Sequence, residues 1–81
     1  MKSVQKGIFE KSNFYEKQTF TIPIVQIDIN KAVLIIVKSI ESFCTIQKMS
    51  LEEENIRIIA EPGKSTSYND LVVSWQVIEF N

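Results

Sequence analysis

Eighty-one residues suffice for one small domain with a thin core, one that buries only somewhat more than ~60% of its unfolded surface. Nine basic residues against ten acidic ones give a net charge of −1, with no basic stripe of the kind that marks a nucleic-acid binder. Histidine is absent and Cys44 is the single cysteine, which excludes an intrachain disulfide framework and removes the usual general base and nitrogen metal ligand.

Residue types favour strands. Thirteen Ile, seven Val and four Thr stand against three Leu and two Ala, and branching at Cβ suits a pleated surface better than a helix. The longest apolar run, 32–37, is far shorter than the ~20 residues of a membrane span. Residues 1–6 lack the apolar region of a signal peptide.

In chain order, 4–9 alternates as a first strand, followed by a turn at 11–13. Residues 18–23 form a second strand, ended or held at a sheet edge by Pro23. In 25–30, Val25, Ile27 and Ile29 alternate with polar residues, as in a short strand or an extended connector that plugs the core. The run Ala32-Val33-Leu34-Ile35-Ile36-Val37 predicts a central strand buried on both faces. A helix over 31–43, capped by Asn30, is the open alternative. Ser50-Leu51-Glu52-Glu53 matches a capping box, but period-two spacing follows it, so 45–51 and 55–60 are expected as strands joined through the acidic stretch. Glu61-Pro62-Gly63 is a turn and 64–70 a polar loop. Residues 71–80 form the last strand, with Leu71, Val73, Trp75 and Val77 on one face and Val72, Ser74, Gln76, Ile78 and Phe80 on the other, covered on both sides. The sum is one all-β domain over 1–81, a small antiparallel β-sandwich of about six strands.

The chemical inventory offers no catalytic, metal or cofactor site. Cys44 reads as a buried apolar thiol. Three consecutive carboxylates, Glu52, Glu53 and Glu54, point alternately up and down on an extended chain and do not converge on an ion. Asp28 and Asp70 lie beside turns, where their side chains accept turn hydrogen bonds. Gly7 and Gly63 are the only glycines, so no phosphate loop can be built. Candidate recognition residues are the loop residues Tyr15, Tyr68, Asn69 and Asp70. Val73, Trp75, Val77, Ile78 and Phe80 mark the closing strand as a core and assembly strand, with Trp75 as core anchor.

Three segments carry a resemblance. Val4-Gln5-Lys6-Gly7, Asn30-Lys31-Ala32-Val33-Leu34 and Val73-Ser74-Trp75-Gln76-Val77-Ile78-Glu79-Phe80 resemble, in order, the opening, middle and closing motifs of short bacteriophage tail-associated β domains. The closing motif is the most specific. The chain is similar to the shoulder domain of lactococcal phage receptor-binding proteins and, more distantly, to H-type lectins, which are trimeric sugar-binding sandwiches. The resemblance implies a sandwich fold, a place in the tail or host-adsorption apparatus, and a protein partner that is either a tail component or a second copy, with a homotrimer as one form. It supplies no catalytic or sugar-binding residue. The expectation is therefore a non-enzymatic structural or interaction module, made in the host cytoplasm and carried in the virion tail, with no nucleic-acid or membrane partner. A glycan-binding module and a small host-takeover protein that binds a bacterial partner are the alternatives.

Overall fold

The computed structural model describes residues 2–63 and 68–81. Six strands follow one another: β1 (Ser3–Ser12), β2 (Gln18–Pro23), β3 (Ala32–Ser42), β4 (Cys44–Leu51), β5 (Asn55–Pro62) and β6 (Asp70–Glu79), with a short 3₁₀ turn at Ile29–Lys31 before β3. They form two three-stranded sheets, in the orders β1-β6-β3 and β2-β5-β4. Every pairing is antiparallel. The chain is thus an all-β, sandwich-like fold, as the excess of Cβ-branched residues implies.

Strict alternation builds the core. Leu71, Val73, Trp75 and Val77 of β6 and Ile56, Ile58 and Ala60 of β5 all point inward and are buried. Phe14, Ile22, Ile27 and Cys44 complete the cluster between the sheets. Each central strand thus carries the buried face, and each is flanked by two edge strands. Phe20 joins Phe9 and Phe14 across the core at ring separations of 5.4 Å.

Two segments differ from expectation. The run 32–37 is a strand and not a helix, but it lies at the edge of the first sheet rather than at its centre. The alternating set in β6 is buried completely on one face, which makes β6 the strand that both neighbours join. β3 pairs only with β6, and its register shifts between Ile36 and Lys38. Val33, Ile35, Ile36 and Val37 are consequently exposed. The last strand is likewise covered on one face only, and it ends at Glu79, leaving Phe80 exposed. The 25–30 segment is an extended connector: Ile27 plugs the core at 5% exposure, and Asp28 accepts from the Asn30 amide at 3.0 Å. Of the polar loop expected at 64–70, residues 64–67 lie outside the described residues.

The crossing at 13–17, the one-residue corner at Phe43, and the described residues Gly63 and Asn69 that follow β5 and precede β6 lie at one end of the sandwich. Hydrogen bonds tie them together: the Asn13 amide donates to the Asn69 carbonyl at 3.0 Å, and the Gly63 amide to the Phe43 carbonyl at 2.6 Å. At the opposite end the amides of Ile24 and Ile27 donate to the carbonyls of Glu54 and Glu53. Gln5 pins the same connector by pairing both backbone groups of Val25 at 2.8 and 2.9 Å.

Candidate functional site

The crossing end presents three aromatic side chains. Tyr15 is 75% exposed, Phe43 69% and Tyr68 79%. Beneath them is a buried polar clamp. The Asn69 side chain accepts from the Phe14 amide at 3.1 Å and donates to the Phe14 carbonyl at 2.7 Å. This holds Phe14 in the core, so that Tyr15 on one side and Tyr68 on the other are directed outward. Asp70 opens β6 and accepts from the Ser12 hydroxyl at 2.7 Å. Of the four loop residues singled out in the sequence, Tyr15 and Tyr68 are surface groups, Asp70 is an exposed strand residue, and Asn69 is a fully buried structural residue. Phe43 was not apparent as a surface candidate. It is a left-handed residue with φ 56°, and a one-residue corner between two apolar strands has no Gly, Asn or Pro to announce it.

The second surface is the outer face of the first sheet. Register places Val4, Ile78 and Val33 in one row; Lys6, Gln76 and Ile35 in the next; then Ile8, Ser74 and Lys38; then Glu10, Val72 and Ile40. Ile8 is 66% exposed, Val4 44%, and Val33, Ile35 and Ile40 are each about as open as Val4. Because Ser74 is small, a hollow of about 310 Å³ opens between Lys6, Ile8, Val37 and Gln76, above Gly7 and Trp75.

Reactive groups are held by the fold. The Glu79 carboxylate accepts from the Asp28 amide at 2.8 Å and the Ser3 hydroxyl at 3.2 Å, and lies 3.6 Å from the Lys2 ammonium. The Asp28 amide chiefly holds its pKa below the ordinary value, against the opposing effect of burial. Burial, helped by the negative charges of Glu41 and Asp70, raises the Cys44 thiol above its ordinary value. Its Sγ donates to the Asp70 carbonyl at 3.4 Å. Glu52 pairs with Arg57 at 3.3 Å in the β4–β5 turn. Among the described residues no group of three or more Cys, Asp or Glu side chains could hold a metal ion. No helix among them is long and apolar enough to cross a membrane.

No family model, curated protein or solved structure matches this chain.

Proposed function

We propose that the chain is a non-enzymatic interaction module of a bacteriophage, working in the tail or host-adsorption apparatus. The observation that carries the assembly reading is the outer face of the first sheet, where Val4, Ile8, Val33, Ile35 and Ile40 are exposed together. Exposed apolar side chains gathered on one sheet face, here interspersed with Lys6, Glu10 and Lys38, are what protein–protein contacts cover. The phage context comes from the resemblance of the 4–7, 30–34 and 73–80 segments. Residues 4–7 and 73–79 of two of these segments lie on the paired strands β1 and β6. The test is mass spectrometry of purified particles of the encoding phage. The protein is expected in them at a fixed copy number, and Ile35→Lys is expected to lower its incorporation. Absence of the wild-type protein from particles rejects the tail reading.

A second reading is carried by the crossing end. Tyr15, Phe43 and Tyr68 offer exposed aromatic faces of the kind that stack on sugar rings. Calorimetric titration with host cell-wall polysaccharide tests it, and no heat of binding at millimolar glycan removes it.

A further inference from the structure

We infer that two copies of this chain join edge to edge through β1, antiparallel, about a two-fold axis that stands perpendicular to the sheet beside Ile8. The first sheets of the two copies then run on as one. This goes beyond the assembly reading, because it uses the open edge of β1 and not the outer face of the first sheet.

Ladder geometry fixes which backbone groups β1 leaves at that edge. In an antiparallel ladder, hydrogen-bonded and non-hydrogen-bonded pairs alternate. The Asn13 amide donates to the Asn69 carbonyl, and the Phe80 amide to the Lys31 carbonyl. These two bonds set the phase of β6: its odd-numbered residues turn their backbone groups to β1 and its even-numbered residues to β3. The β1–β6 register pairs odd with odd and even with even. Val4, Lys6, Ile8, Glu10 and Ser12 therefore point their amides and carbonyls away from β6, at the open edge. No backbone hydrogen bond from a loop or turn among the described residues reaches them. The connector beside β1 is held instead by the Gln5 side chain, through Val25.

The other three edge strands are protected against adding a strand. β3 and β4 each carry a register irregularity, at Ile36/Lys38 and Ile46/Lys48. β2 is only six residues long and ends in Pro23. Bulges, short edges and Pro are how sheets avoid pairing with further chains. β1 has none of these: it runs ten residues in unbroken register.

Charge placement selects a second copy as the occupant, and one register. Centred on Ile8, the pairing sets Ile8 opposite Ile8, Lys6 opposite Glu10 twice, and Val4 opposite Ser12 at the two ends. On the inner face it sets Gly7 opposite Phe9 and Gln5 opposite Lys11. No like charges face one another. A shift of the centre to Gly7 sets Lys6 opposite Ile8 and Val4 opposite Glu10. A shift to Phe9 sets Ile8 opposite Glu10 and Lys6 opposite Ser12. Both shifts lose the two ion pairs. Opposite charges directly across an antiparallel pair stabilise it, and like charges destabilise it. The two-fold contact uses both β1 edges at once, and the protected edges elsewhere stop growth, so the assembly closes as a dimer.

Sedimentation velocity over a dilution series, with amide hydrogen exchange at both ends of the series, tests the proposal. The wild type is expected to run as a dimer that dissociates on dilution. In the dimer the amides of Lys6, Ile8 and Glu10 are expected to exchange at least about 10-fold more slowly than in the dilute monomer. Ile8→Pro removes an amide that β1 does not use within its own chain, and edge strands tolerate Pro at such positions. It is expected to give a folded monomer. K6E and E10K each place like charges opposite one another and are expected to weaken association about 10-fold. The K6E/E10K double variant is expected to return to within about 3-fold of wild type. The charge variants carry the test should Ile8→Pro fail to fold. A wild-type monomer at all concentrations, which would leave the β1 edge to a strand of a different protein, overturns the proposal. So does a trimer, a dimer whose three amides exchange as fast as in the monomer, or a double variant in which the two losses add.

Discussion

Gly7 lies opposite Trp75 in the β1–β6 ladder, and the indole occupies the space that a Cβ on residue 7 would need. A methyl built there meets Trp75 Cζ2 at 2.8 Å. Trp75 is 8% exposed and packed in the core, so its ring has little freedom to withdraw. Gly7→Ala is therefore expected to destabilise by about 1–3 kcal/mol through overpacking, although Ala alone would favour a strand over Gly. In a Trp75→Leu background the space is released and the same substitution should be neutral or stabilising. A double-mutant cycle by urea denaturation measures the coupling, and equal effects of Gly7→Ala in the two backgrounds contradict it.

Asn69 replaces a strand partner for Phe14, supplying both a donor and an acceptor to its backbone within the core. Asn69→Ala strands two buried backbone groups, which is expected to lower stability by about 2–4 kcal/mol. Asn69→Asp should be at least as damaging at pH 7, because an acceptor then faces the Phe14 carbonyl. Thermal unfolding reads the loss as a fall in Tm of roughly 10–25 °C for a chain this size. A shift of a degree or two would mean that solvent reaches the clamp.

The strands themselves were legible in the residues, because Cβ-branched alternation has one structural reading across Ile56, Ile58 and Ala60 or Leu71 through Val77. Layer position was not. A continuous run such as 32–37 looks the same whether its second face meets this chain's core or another molecule, and only the register of β3 against β6 separates the two. Glu79 could have been found from the period-two parity of β6, since it continues the inward series 71, 73, 75, 77. Asn69 could not, because its burial depends on Phe14, 55 residues away. Phe43 was hidden because the corner uses a residue type that propensity assigns to strands.

The Glu79 carboxylate should make stability fall in acid. Its folded pKa lies below the ordinary 4.5, chiefly through the Asp28 amide. The unfolded chain therefore binds the proton more readily than the folded one. The contribution is complete above the unfolded value and is lost as pH falls below 4.5 toward the folded pKa. Glu79→Gln is expected to flatten this part of the stability–pH curve, with the largest difference from wild type at neutral pH. Parallel curves for the two proteins between pH 3 and 7 would contradict the assignment.

Cys44 should be a poor nucleophile. Its burial and the neighbouring Glu41 and Asp70 charges all disfavour the thiolate, the form that reacts. Alkylation by iodoacetamide at pH 7.5 is expected to be at least about tenfold slower in the folded protein than in urea. Equal rates in the two conditions would show that the β3–β4 corner opens readily.

Phe43 combines two unfavourable properties at one position. Its φ of 56° places a bulky residue in the left-handed region, at about 1–2 kcal/mol, and its ring is 69% exposed, gaining little from burial. The corner is held in this conformation from outside the residue, because the Gly63 amide donates to the Phe43 carbonyl. Asn tolerates this conformation better, so Phe43→Asn is expected to leave stability unchanged or raise it by up to about 1 kcal/mol. If the crossing end is a recognition surface, the same variant should weaken ligand binding by tenfold or more, as loss of an exposed aromatic anchor does. Stability from urea denaturation and affinity from calorimetric titration then move in opposite directions. A variant that is more stable and binds equally well would remove Phe43 from the recognition surface and leave Tyr15 and Tyr68 to carry it.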